Sequence, residues 1–255
     1  LHNLKDVHYP MLRDYIIALS KRGLAMRSIN RKCSALKSLY AYFQKIGIIE
    51  VHPFAQHKAV KAKKAFITPF SVAELNTVLE HIDRSDFLGL RDATAIELLY
   101  STGIRQAELI GLKTSDIDWA QGQIRVLGKR NKERLVPIIP ALATTLKHYM
   151  AQRNAYPGTS AHSFLLVTNK GNKIYPAFVY RLIKTYFRSV SNKISTSPHV
   201  LRHSFATHML DAGADINVVK EILGHESLAA TQEYTKVQLP KVQDAYRAAH
   251  PRAKK

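Results

Sequence analysis

The stretch SPHVLRHSFATHM, residues 197–209, concentrates side chains that could do chemistry. Ser197 is an N-cap type and Pro198 suits a first helical position, so a helix is predicted to open here. His199 and Arg202 then lie on one face of its first turn. A helix N-terminus already presents unpaired N–H groups and the positive end of the dipole. An imidazole and a guanidinium added there make an anion site. His199 and His203 are also four apart, a spacing that could chelate zinc. No Glu follows His199 as in the metalloprotease helix, and no third ligand clusters with the pair, so no metal is expected. A glycine-rich phosphate loop is lacking too, so nothing indicates ATP.

Bulk charge suggests which anion. The 255 residues hold 38 Lys plus Arg against 19 Asp plus Glu, a formal net charge of +19. An excess of that size suits a polyanion, with nucleic acid the leading candidate. Hydrophobic residues make up 46%, which fits a globular chain and argues against disorder. No run approaches the ~18 apolar residues of a membrane span. Neither a basic amphipathic anchor nor a lipidation motif is found, so no membrane role is expected. Cys33 is the only cysteine and falls on an apolar helix face, so it reads as a core residue in a reducing, cytoplasmic setting.

The elements that must position the anion site follow from periodicity. Helices are predicted over 9–22 and 27–46, stopped by Gly23 and Gly47. The second buries Ile29, Cys33, Leu36, Tyr40 and Phe43, and its other face gathers Arg27, Asn30, Arg31, Ser34, Ser38 and Lys45. Short hydroxyl residues among cations could let a nucleic-acid backbone approach, and an ordinary solvated face fits equally well. HKAVKAKKAFITP has neither helical nor strand periodicity and reads as a basic linker over 58–69. Ser71 and Glu74 form a capping box at the start of a second domain. There a buried helix is expected over 92–102, stopped by Gly103, and a short one over 106–112. QIRVLGKRNKERLVPII reads as two strands around a polar turn, with Ile124, Val126 and, less cleanly, Leu135 as the alternating apolar residues. Further helices are predicted over 140–154, 176–190, 198–212 and 216–223, with last helical turns near 227–235 and 241–249.

Four separated pieces, TGIRQAELIGL, GKRNKER, HVLRH and LGHESLAATQEYTKV, are each weak alone. Together, in this order, they resemble the tyrosine recombinase (phage integrase) family, and within it the Xer-type site-specific recombinases. The resemblance implies a mainly α fold with a small antiparallel β-sheet, arranged as a two-domain DNA clamp. Residues 1–57 would be a helical core-DNA-binding domain, 58–69 the linker and 70–255 the α+β catalytic domain. It implies catalytic roles for Arg105, Lys129, His199, Arg202, His225 and Tyr234, with Tyr234 the nucleophile. Arg27, Asn30, Arg31, Ser34, Lys132 and Arg134 are the candidate DNA contacts. Xer-type proteins carry two more helices ahead of the region that begins at Leu1, so the native start is expected upstream.

The implied reaction is attack of Tyr234 on a DNA phosphodiester, giving a 3′-phosphotyrosyl link and a free 5′-hydroxyl. A 5′-hydroxyl of a second strand then attacks that link. Ionising a phenol of pKa about 10 at pH 7 costs roughly 4 kcal/mol, so a neutral His199 accepting the proton is apt. Arg105 and Arg202 can offer forked donors to non-bridging oxygens, and His225 another hydrogen bond, as charge grows in the transition state. Lys129 suits the acid for the departing 5′-oxygen. Glu108, one turn beyond Arg105, could brace an active-site cation or be an ordinary surface pair. The bond energy is stored in the phosphotyrosine, so no cofactor is expected. Double-stranded DNA is the expected partner, bound by a homo- or hetero-tetramer on two sites. The segment 239–249 would dock on a neighbouring protomer or fold back on its own domain. Chromosome dimer resolution and mobile-element integration or excision share this chemistry. A type IB topoisomerase-like relaxation and a non-catalytic DNA-binding regulator are the competing readings.

Overall fold

The computed structural model describes residues 4–62, 67–128, 131–159, 163–191, 193, 196–224 and 238–253, with 4 and 238–241 described by backbone alone. The chain divides into two compact units, Leu1–Phe66 and Ile67–Lys255. Their boundary falls inside the basic stretch 58–69. Among the described residues no helix is long and apolar enough to cross a membrane.

In the first unit a single 3-10 turn (Leu4–Asp6) precedes α1 (Tyr9–Lys21) and α2 (Met26–Lys45). Leu12 and Leu19 of α1 meet Ile29, Cys33 and Tyr40 of α2, with Ile49 and Phe54 closing the small core. Residues 52–62 form no regular element, yet side chains of α2 fasten them. Asn30 donates to the Val60 carbonyl at 2.7 Å and accepts from its N–H at 3.1 Å. Lys37 donates to the carbonyls of Ala55 and His57. The basic stretch therefore begins as an ordered strap on α2.

The second unit is built around α4 (Phe87–Thr102). Nearly every residue of this helix is buried, including the polar Thr94, Glu97, Ser101 and Thr102. A helix buried on nearly every side lies inside a fold rather than on it. It starts five residues before the predicted 92, because Asp86 caps it by accepting from the Gly89 N–H at 2.8 Å. Around it stand α3 (Val72–His81), α6 (Pro140–Ala155), α7 (Pro176–Arg188) and α8 (Pro198–Asp211), with α9 (Ile216–Leu223) and α10 (Gln238–Ala249) beyond α8. The capping box of α3 has both its bonds, Ser71 N–H to Glu74 at 2.6 Å and Glu74 N–H to Ser71 at 3.1 Å.

Beside the short α5 (Gln106–Gly111) lies one antiparallel sheet in the order β1 (Ile117–Asp118), β2 (Gln123–Leu127), β3 (Glu133–Pro137). The strand β1 adds to the predicted pair. Val126 pairs with Arg134, Arg125 with Leu135, and Ile124 with Val136. Ile124, Val126 and Val136 are buried while Leu135 is exposed, so Arg134 shares the inward face. This corrects the predicted alternation, which puts Leu135 inward; a one-residue shift in a strand exchanges its faces.

The segment expected to dock on a neighbour or fold back does the latter here. The α10 helix lies on α8 and α9, with Val242, Tyr246 and Ala249 in the core. Tyr246 donates to the Ser101 carbonyl. Just beyond, Arg252 reaches the buried Glu97 with Nε at 3.2 Å and Nη2 at 2.9 Å, and Asn76 with Nη1 at 3.1 Å.

Candidate active site

The end of α4 sets the first arginine. Gly103 terminates the helix with φ +60°, a left-handed conformation that L side chains rarely adopt. A Cβ there would stand 2.5 Å from Phe205 Cδ1 and 2.7 Å from Leu223 Cδ2, so glycine also lets α4 close against α8 and α9. Ile104 is buried, and Arg105 follows as the N-cap of α5. Its N–H donates to Glu108 Oε2 and its Nη1 to Glu108 Oε1, both at 2.8 Å. Its side chain remains 43% exposed.

Arg202 comes from the first turn of α8, three residues after His199. Ser197 has the extended backbone of an N-cap, but its side chain makes no cap hydrogen bond. His199 is exposed, whereas Arg202 is buried and donates to two carbonyls, Gly103 at 2.5 Å and Leu223 at 2.7 Å. Arg105 Nη2 approaches the next carbonyl, Gly224, at 3.4 Å. Arg134 Nε holds the one before, Ile222, at 2.8 Å. Three consecutive carbonyls at the C-terminal end of α9 thus each take a guanidinium. Such carbonyls lack helical partners and carry the negative end of the dipole, which suits cations.

Glu108 is the carboxylate among these arginines. Burial alone would raise its pKa, but hydrogen bonds from Arg134 and from the Arg105 N–H, with the Arg134 charge and the Arg105 guanidinium, hold it at about 2. Burial, then the like charges of Arg105 and Arg134, lower the Arg202 pKa to about 10 against the opposing pull of Glu108. Arg202 stays cationic at pH 7. Three guanidiniums against one carboxylate leave a net positive site, with Arg105 its exposed member. Such a site can take a phosphate.

The other candidates divide by location. Lys129, His225 and Tyr234 lie outside the described residues. Gly128 donates to the Lys132 carbonyl at 2.7 Å, closing the base of the turn whose sequence carries Lys129. His225 follows directly on Gly224. Lys132 is exposed. Arg134, expected at the DNA backbone, instead points inward and gives three donors to Glu108 and Ile222. On α2, Arg27, Arg31 and Ser34 are exposed, while Asn30 spends its amide on Val60. His203 is exposed and His208 Nδ1 lies 2.9 Å from the Tyr100 hydroxyl. Among the described residues no three of His, Cys, Asp and Glu gather as metal ligands.

One surface was missed in the sequence. The α7 helix buries Val179, Leu182, Ile183 and Phe187, and its solvent face holds Tyr180, Arg181, Lys184 and Arg188 without an acidic residue. It neighbours the site, since Gln106 beside Arg105 donates to the Pro176 carbonyl at 2.7 Å. Helical periodicity over 176–188 carried that signal.

Comparison with known proteins gives a consistent result. Residues 65–239 match the phage integrase family and residues 1–45 the phage integrase N-terminal SAM-like domain. Tyrosine recombinase XerC of Syntrophus aciditrophicus (strain SB) is 36% identical over 258 residues, covering 98% of this chain and 82% of that protein. Tyrosine recombinase XerC of Staphylococcus haemolyticus (strain JCSC1435) is 35% identical over 257 residues, covering 100% and 86%. Among solved structures, XerH site-specific recombinase bound to palindromic difH substrate, a post-cleavage complex, superposes with a TM-score of 0.74 at 25% identity. That match covers 95% of this chain and 72% of the other.

Proposed function

The chain belongs to the phage integrase family as a Xer-type tyrosine site-specific recombinase, and on that premise we propose that Tyr234 attacks a DNA phosphodiester held by Arg105 and Arg202. The Tyr234 oxygen bonds to phosphorus, the phenolic proton passes to His199, and the P–O5′ bond breaks. Lys129 protonates the leaving 5′-oxygen. Arg105, Arg202 and His225 stabilise the charge on the non-bridging oxygens, which is greatest in the pentacoordinate state. A second strand's 5′-hydroxyl reverses these steps and completes the exchange. No cofactor or metal enters.

One observation carries the proposal. Arg105 and Arg202 come from distant parts of the sequence and hold neighbouring carbonyls, Gly224 and Leu223, at the root of the segment that continues to His225 and Tyr234. The substrate is double-stranded DNA, with residues 1–57 as a helical DNA-binding domain, 70–255 as the catalytic domain and 58–69 as the linker. Arg27, Arg31 and Ser34 of α2, Lys132, and the cationic face of α7 are its backbone contacts. Four protomers, identical or paralogous, act on two sites in the cytoplasm. Dimer resolution is the favoured pathway, since the XerC relatives align over almost the whole chain.

The test uses duplexes bearing a site selected from a random-sequence pool, nicked at each position across its centre. The protein is expected to form an SDS-resistant adduct, and Tyr234→Phe to abolish it while binding is retained. An adduct from the Phe variant would overturn the assignment. Relaxation of supercoiled DNA without pairing of two sites would favour the topoisomerase reading instead.

A further inference from the structure

Arg134 is held in a way a DNA contact does not need. Its side chain leaves the sheet on the face it shares with the buried Val126 and Val136. Nη1 and Nη2 take the two oxygens of Glu108 at 3.1 and 2.7 Å, and Nε takes the Ile222 carbonyl. Gly224 makes room for it. A Cβ on Gly224 would stand 3.2 Å from Arg134 Cδ and Nη1, tighter than ordinary van der Waals contact.

The consequence falls on Arg105. A lone carboxylate beside a guanidinium accepts both arms of the fork. Here Arg134 fills that bidentate position, so the Arg105 side chain meets only Oε1 of Glu108 and, with its other arm, the Gly224 carbonyl. A guanidinium has five N–H donors. Those not spent on these two contacts are available to a phosphate.

We propose that Arg134 is a positioning residue for strand cleavage. By occupying Glu108 it keeps Arg105 from folding onto the carboxylate, and by holding Ile222 it ties β3 to the end of α9. This rests on the reading of Arg105 as a phosphate ligand.

The experiment uses the full chain with Arg134→Gln, Arg134→Lys, Glu108→Gln and the double variant Glu108→Gln/Arg134→Gln. Melting temperature establishes that each is folded. Binding to the selected duplex is measured against salt, and adduct formation is measured in single turnover at saturating DNA. Arg134→Gln is expected to leave the slope of log K against log salt unchanged and to slow the adduct about ten- to a hundredfold, the order seen when a reacting group is slightly misplaced. Arg134→Lys keeps the charge but not the fork, so it should recover stability and little of the rate. The double variant should be no slower than the slower single. A slope shallower by about one phosphate contact would overturn the proposal. So would a folded Arg134→Gln protein that reacts at the parent rate, which is what a purely structural role predicts. A parent chain that forms no adduct would sink the cleavage reading instead, and the salt slope would still decide Arg134.

Discussion

Glu108 and Arg134 face each other across two parallel hydrogen bonds, with 5% and 13% of their side chains exposed. Burial works against the Glu108 charge, and the hydrogen bonds from Arg134 and the Arg105 N–H more than offset it, holding the pKa at about 2. A carboxylate whose pKa is depressed on folding stabilises the fold above its ordinary pKa and loses that contribution as pH falls. The window runs from about pH 4.5 down to about pH 2, and the contribution is roughly 3 kcal/mol. Urea unfolding across that range should show the loss, and Glu108→Gln should flatten much of it. Some slope should remain from Glu74, where hydrogen bonds from Lys193 and the α3 cap overcome burial. An identical acid profile in parent and variant would contradict this account.

The C-terminal tail makes a second prediction. Glu97 is fully buried, and its partners are Arg252 and the Thr145 hydroxyl. Removing one member of a buried pair leaves an uncompensated charge, so Arg252→Ala should cost about 3–5 kcal/mol. Glu97→Gln in the same chain should restore part of that loss, because the orphaned charge goes too. Denaturant unfolding of the two singles and the double gives the coupling energy. Strict additivity would mean that the tail is not held this way.

Gly103 offers a third. Its φ of +60° disfavours any L side chain, and a methyl group would meet Phe205 and Leu223 at under 3 Å. Gly103→Ala should therefore cost about 1–3 kcal/mol through overpacking alone, with further strain from the backbone. The displacement falls on the carbonyl that Arg202 holds, so cleavage should fall more than DNA affinity. Equal stability and equal cleavage in the variant would show that the close approach is unimportant.

Much of the architecture was legible along the chain. The capping box at Ser71, the glycine stops and the apolar stripe of α2 are local signals, and local hydrogen bonding and burial satisfy them in place. The start of α4 was harder. Asp86 precedes Gly89, a poor helix former, so the local pattern there does not read as a helix start. The strand β3 was harder still. In Leu135–Val136 two apolar residues adjoin, and period-2 alternation cannot say which faces inward. Pairing with β2 decides it, and Arg134 goes inward with Val136.

By itself, the sequence determined the residue types proposed for phosphoryl transfer, the helices α5 and α8 that carry Arg105, His199 and Arg202, and a basic charge suited to DNA. It could do so because caps, periodicity and net charge are properties of neighbouring residues or of composition. Only the tertiary structure decided that Glu108 serves two arginines, that Asn30 straps Val60, that α10 folds onto its own unit, and that the end of α9 collects three guanidiniums. Those contacts join segments far apart in the chain. Each depends on which faces pack together, and no local interaction energy encodes that choice.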